Sequence, residues 1–161
     1  MSNFYLAEQH QQLEWIGGSR MEVLLDSPAT EGQLFLARSK LRAGDAAPVH
    51  LHTNEDEMFL LLSGRGVFWF GDEEFEAGEG AVVYLPRNVP HGYHFVTDVD
   101  LLTFCTPAGI EAFFRAAGHD LATPKPAGWQ LTPATMAPAA GAVGMTILGP
   151  PRRPSAATVN P

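Results

Sequence analysis

The chain has 161 residues, 45% of them hydrophobic and 17% charged, enough apolar material for one domain with a sizeable core and too much for a disordered chain. Ten Lys+Arg against 18 Asp+Glu leave a formal net charge of −8, a field that repels phosphate backbones and argues against a nucleic-acid partner. The single cysteine, Cys105, closes no disulfide within the chain, the first dozen residues lack the layout of a secretory signal, and no apolar run approaches the roughly 18–20 residues that span a bilayer, so a cytoplasmic protein with no membrane partner is expected.

Residues 1–19 read as an N-terminal arm. From 20 to 106 short apolar or alternating runs are separated by Gly, Pro, Asp and Asn at the spacing of an all-β sandwich or barrel. The predicted strands are 20–25, 33–41, 57–62, 67–70, 81–85, 92–96 and 100–105. Turns are expected at Ser63-Gly64-Arg65-Gly66 and Gly71-Asp72-Glu73-Glu74, where Gly supplies the positive φ that tight hairpins require. Thr106-Pro107 offers a capping hydroxyl before a proline at the first helical position, which predicts a helix through 110–117 ended by Gly118. Thr132-Pro133 is a second possible helix start, limited by Pro138 and Gly141. Residues 107–148 therefore read as a helix with an irregular extension, and 149–161, rich in proline, as a flexible tail.

The chemistry is concentrated in two stretches. On a strand, residues two apart share a face, so His50 and His52 present two imidazoles to one side, and Glu57 opens the next apolar run. A third imidazole, His91, follows the Arg87-Asn88-Val89-Pro90 turn. Three nitrogens and one oxygen suit a borderline divalent ion, Fe(II) first, with Ni(II), Co(II), Mn(II) and Zn(II) also admitted; an ion that takes six ligands would keep two positions open. A lone histidine on a strand is more often structural than a ligand; it is the combination that carries the signal.

That combination resembles the cupin superfamily. The first cupin motif, G-x5-HxH-x4-E-x6-G, is matched at every defined place by Gly44, His50, His52, Glu57 and Gly64. The second, G-x5-P-x-G-x2-H-x3-N, is matched at Gly80, Pro86 and His91, with Asn88 in place of Gly and Phe95 in place of Asn. Asn also tolerates the left-handed backbone; Phe95 removes a polar contact near the barrel mouth. The segments Leu13-Glu14-Trp15-Ile16-Gly17-Gly18, 106–114 and Ile147-Leu148-Gly149-Pro150-Pro151 are further similar to single-domain bacterial cupins of the quercetin 2,3-dioxygenase-like group. The resemblance implies an antiparallel, RmlC-like jelly-roll barrel over 20–106, a homodimer, and a site in which His50, His52, Glu57 and His91 hold one metal. It also implies a dioxygenase in which a substrate oxygen meets the metal, Glu57 takes the hydroxyl proton and dioxygen adds to the carbon skeleton.

If the barrel closes in this way, strand parity puts Glu57, Phe59 and Leu61 on the metal side and Met58, Leu60 and Leu62 on the other, while Tyr93 and Phe95 share a face near the cavity. Phe59, Leu61, Tyr93 and Phe95 are thus the expected substrate pocket, apolar and aromatic, with Glu57 and Tyr93 the catalytic candidates. Phe68, Trp69, Phe70, Tyr84 and Phe104 are expected to pack in the core, His94 to lie on the surface, His10 and His119 to be solvated, and the acidic runs at 54–56 and 72–74 to serve solubility. Two other readings stay open: a non-oxidative isomerase, lyase or cyclase using the ion as Lewis acid with Tyr93 or Glu57 as base, and a non-catalytic small-molecule-binding module.

Overall fold

A computed structural model describes residues 9–155. Twelve strands and three short helices are ordered as β1 (Gln11–Glu14), β2 (Arg20–Leu25), α1 (Ser27–Thr30), β3 (Phe35–Leu41), β4 (Val49–His52), β5 (Asp56–Ser63), β6 (Gly66–Phe70), β7 (Glu73–Ala77), β8 (Val82–Leu85), β9 (His91–Phe95), β10 (Val99–Thr106), α2 (Glu111–Ala117), β11 (His119–Asp120), α3 (Pro133–Ala142) and β12 (Met145–Gly149). They form two antiparallel sheets, β11-β1-β2-β3-β10-β5-β8 and β12-β4-β9-β6-β7. The architecture is the all-β jelly roll expected, two facing sheets whose inward residues alternate with outward ones.

Alternation decides what each strand buries. Along β5, Glu57, Phe59 and Leu61 are buried while Met58 and Leu60 are not fully so, and β10 repeats the pattern with Leu101, Thr103 and Cys105. Phe59 of the large sheet meets Phe68 of the small one with ring centroids 6.0 Å apart, and Phe95 packs edge-on against Phe68 at 6.1 Å. A buried ring of this kind contributes about 1.5–3 kcal/mol through area removed from water alone. Between β5 and β6, Gly64 is the residue the turn requires: its φ is +82°, and a Cβ there would run into the Asp98 carbonyl.

Several local expectations need correction. The turn after β6 is only Gly71-Asp72; Glu73 and Glu74 already belong to β7, which pairs Phe75 opposite Phe68. Thr106-Pro107 does not start a helix. Ile110 is the N-cap residue of α2, and the Glu111 carboxylate, accepting from the Gly109 and Ser27 amides at 2.7 and 2.8 Å, holds the entry to the helix. Thr132-Pro133 does open α3, with a reciprocal cap to Thr135, but Pro138 and Gly141 lie inside the helix. Burial of Met136, Ala139 and Ala140 compensates for the hydrogen bond that Pro138 cannot donate.

The flanks are more ordered than their composition suggests. Within the expected arm, β1 pairs with β2 and β11; within the expected extension and tail, β12 pairs with β4, and Arg152 donates to the Gly71 carbonyl at 3.0 Å. Residues 1–8 of that arm and 156–161 of that tail lie outside the described residues. His119 is buried against Trp129 rather than solvated, and His10 is half-buried. Tyr84 is exposed and Phe104 half-buried, both on the outer side of the large sheet; Phe68 is in the core, and Trp69 is buried with its indole N–H donated to Glu74 at 3.0 Å. Among the described residues no helix is long and apolar enough to cross a membrane.

Candidate metal centre

Three strands from the two sheets deliver four chemically matched side chains to one point. His50 and His52 project from the same face of β4; His91 stands directly opposite His50 at the start of β9; Glu57 comes from β5, across the 53–55 turn. Ring centroids of His50 and His91 are 4.4 Å apart, His50 and His52 5.0 Å, and His52 and His91 5.2 Å. One nitrogen from each ring and one Glu57 oxygen all lie within 4.8 Å of one another, and all four residues are buried. Glu57 Oε2 is 3.4 Å from His91 Nε2 and 3.7 Å from His52 Nε2.

The outward-facing ring nitrogens are held. His50 Nδ1 lies 2.7 Å from the Pro48 carbonyl and His91 Nδ1 2.9 Å from the Val89 carbonyl. A carbonyl only accepts, so both rings carry their proton on Nδ1 and turn the Nε2 lone pair inward. His52 Nδ1 meets a carboxylate, Glu55 Oε1, at 2.6 Å. The Nε2 atoms of His52 and His91 are buried and have no hydrogen-bond partner among the described residues. Buried polar atoms without a partner are costly, and a divalent cation accepting these lone pairs would satisfy them. The residues present therefore fit a metal ion.

Electrostatics at His50 and Glu57 are consistent with that. Burial, with the crowding of the neighbouring His91 and His52 imidazoles, pushes the His50 imidazole down to about 3, so it stays neutral as a ligand must. Burial opposes ionisation of Glu57, but the close imidazoles of His91, at 3.4 Å, and of His52 and His50 outweigh it and hold the carboxyl below its usual range. For His52, burial disfavours the charged form, and the Glu55 hydrogen bond with the Glu57 and Glu55 charges overcomes it, raising the imidazole. Burial and the Glu57 charge push the Tyr93 phenol upward, which favours its protonated, donating form over a base.

The cluster opens into an apolar cavity. Phe59 and Tyr93 line it, their rings edge-to-face at 5.7 Å. Leu61 and Phe95 do not: both are 0% exposed and packed between the sheets, one residue pair deeper along the strands. Two hydroxyls that sequence reading missed, Ser39 and Thr103, also line it, and Ser39 Oγ has no partner among the described residues. Glu55 is the other omission. It belongs to an acidic run expected to serve solubility, yet it is 3% exposed and bonded to His52; its position three residues after a ligand histidine was the only available sign. In the same run Asp56 pairs with Arg87 at 3.0 Å. His94 faces away from the cluster, half-buried.

Comparison with known proteins places the stretch that carries the cluster in a known domain family. The model of the family described as the cupin domain matches residues 37–107, the stretch that holds both motifs. These residues form a cupin domain. The chain is 30% identical over 93 residues to the quercetin 2,3-dioxygenase of Bacillus subtilis, covering 55% of this chain and 27% of that one. An uncharacterised protein of Methanocaldococcus jannaschii is 30% identical over 70 residues, 44% of this chain and 56% of that one. The chain thus spans about half or less of these curated relatives. An RmlC-like cupin from Shewanella frigidimarina superposes with a TM-score of 0.56 at 19% identity, covering 67% of this chain and 93% of that one, a likeness of fold.

Asn88 of the second cupin motif has φ +65°, the left-handed conformation its glycine substitute role requires. Phe95, where the motif has Asn, is packed against Phe68 and Tyr93. Beyond the cupin domain itself, Trp15, Ile16, Phe113, Met136, Met145 and Ile147 complete the cavity wall. β12 brings two of these to the site by pairing Met145 with His52 and Ile147 with His50.

Proposed function

We propose that this cupin is a metal-dependent dioxygenase acting on an aromatic or enolic small molecule, with His50, His52, Glu57 and His91 as the metal ligands. The observation that carries the reading is the convergence of buried, oriented imidazole nitrogens and one carboxylate on a largely apolar, aromatic-lined cavity. A transition ion there, Fe(II) first and Ni(II), Co(II), Mn(II) or Zn(II) otherwise, would supply open coordination positions for oxygen-bearing ligands. Glu57, ionised and able to loosen, accepts the substrate hydroxyl proton on a carboxylate oxygen; Tyr93 donates a hydrogen bond to substrate oxygen. Phe59 and the flanking wall hold a flat, apolar body and exclude bulk water. Ser39 offers one polar contact away from the ligands. The similarity to the Bacillus subtilis enzyme supports the class without fixing the substrate.

The test is turnover of a flavonol and enol panel by the metal-reconstituted protein with and without oxygen, followed by oxygen uptake and product mass. The reading expects oxygen-dependent loss of at least one compound with both oxygen atoms in the product. Equal turnover with and without oxygen, or none with any of the five metals, contradicts it.

The presence of Glu57 and a protonated Tyr93 phenol on one cavity favours one second reading, a non-oxidative isomerase, lyase or cyclase in which they act as base and acid. Oxygen dependence separates the two. We also propose a homodimer in a cytoplasmic setting. Its support is an apolar strip on the outer face of the large sheet, where Val82 and Tyr84 of edge strand β8 are 65% and 54% exposed beside Leu60 and Met58. Sedimentation of the wild type against Tyr84→Lys tests it.

A further inference from the structure

The three imidazoles are not held alike. His50 and His91 give Nδ1 to backbone carbonyls, whereas His52 gives it to the Glu55 carboxylate, at the shortest of the three distances, 2.6 Å against 2.7 and 2.9 Å. Glu55 and His52 are 3% and 1% exposed, so the contact is screened from water and its charge acts at full strength. The chain leading into Glu55 is fixed: Thr53 is tied to the Gly144 carbonyl through its amide and hydroxyl, and Asn54 donates to the Val143 carbonyl. The turn that carries Glu55 is therefore clasped by the segment entering β12. Among the described residues the Glu55 carboxylate is hydrogen-bonded and ion-paired to the His52 ring and to no other side chain.

We propose that Glu55 is a positioning residue that makes His52 the anchoring ligand of the metal centre. A carboxylate on the distal nitrogen fixes the ring plane and tautomer, and raises the electron density available at Nε2 for a cation. It also brings a second negative charge beside Glu57, so the pair formally balances a divalent ion. A carbonyl partner, as on His50 and His91, orients the ring without adding charge. This inference rests on the metal-centre reading above and adds to it a division of labour: one ligand held by charge, two by backbone.

The experiment titrates Co(II) and Zn(II), against a chromophoric chelator, into metal-stripped full-length wild type, Glu55→Gln, His52→Ala and the double variant. Glu55→Gln keeps the shape and an acceptor but loses the charge. The expected result is one ion per chain in the wild type, binding weaker by ~10–100-fold in Glu55→Gln, and no further loss when Glu55→Gln is added to His52→Ala. That coupling is the readout a merely structural role would not move. For the case in which Glu55→Gln fails to fold, the imidazole N–H resonances of Zn(II)-loaded wild type serve instead: the most downfield ring proton is expected on His52. Unchanged affinity in Glu55→Gln, the same loss in both backgrounds, or a His52 ring proton no further downfield than those of His50 and His91 overturns the inference and leaves the metal centre standing. A wild type that binds neither ion overturns both.

Discussion

The two ends of the cavity are made of different stuff and from different stretches of chain. At the ligand end, four side chains within 50–91 each have a stated partner: a carbonyl for His50 and for His91, a carboxylate for His52, imidazoles for Glu57. At the far end the wall is Trp15, Ile16, Phe113 and Met136, held by ring packing such as the 5.4 Å edge contact of Trp15 with Phe113. The ligand end demands particular atoms in particular places, so substitution there removes a function outright. The wall demands only volume and apolarity, so substitution there is graded. On the proposed reading, metal affinity rests on one compact stretch and the shape of the cavity on the flanks.

The largest effect that would sharpen this contrast is loss of a ligand. His91→Ala should abolish stoichiometric metal retention after dialysis, with an affinity loss exceeding the ~10–100-fold of an outer-partner variant, measured by elemental analysis, while the fold persists by circular dichroism. Phe113→Ala, at the other end, should cost about 3–5 kcal/mol, a fall in Tm of roughly 6–20 °C at 2–4 °C per kcal/mol, with metal stoichiometry unchanged in the cold. A loss of bound metal in that variant would break the division between the two ends.

How much of this could be read before the fold was known follows the same line. Ligand spacing left a signature because His50, His52, Glu57, Gly64 and His91 must each be one residue type, and the β alternation placed Glu57 and Phe59 inward. Wall residues left none. Met145 and Ile147 come to the site only because β12 pairs with β4, a contact across some 95 positions that proline-rich surroundings disguised. Leu61 and Phe95 have the right parity but sit too deep, since parity gives the face and not the depth. Glu55 was hidden in an acidic run expected to be solvated, because its burial depends on the turn being clasped by residues 143–144.

A smaller effect concerns how the wall is anchored. Glu111, 4% exposed, is held below the ordinary carboxylate range: burial opposes its charge, but donation from the Ser27 and Gly109 region outweighs that. A depressed folded value means the stabilisation is present above the ordinary value of 4.5 and is lost as pH falls through the lower folded value. Glu111→Gln should therefore lower stability by about 1–3 kcal/mol at pH 7, with the gap to wild type closing below about pH 4.5 in thermal melts across pH. A gap that widens on acidification would contradict the assignment. Smallest of all, Ser39→Ala should leave metal content intact and stability unchanged or up by ~1 kcal/mol, because it removes an unpartnered hydroxyl; a raised KM for turned-over compounds would place substrate against it.

The account stands or falls on the ligand set, and the most direct measurement is metal K-edge X-ray absorption of the Co(II)-loaded protein, compared with its His52→Ala and Glu57→Gln variants. Three imidazole nitrogens and one carboxylate oxygen about one ion are predicted for the wild type, with an imidazole lost in the first variant and a changed oxygen contribution in the second. A spectrum with fewer than two imidazoles, or one that neither substitution alters, would contradict it.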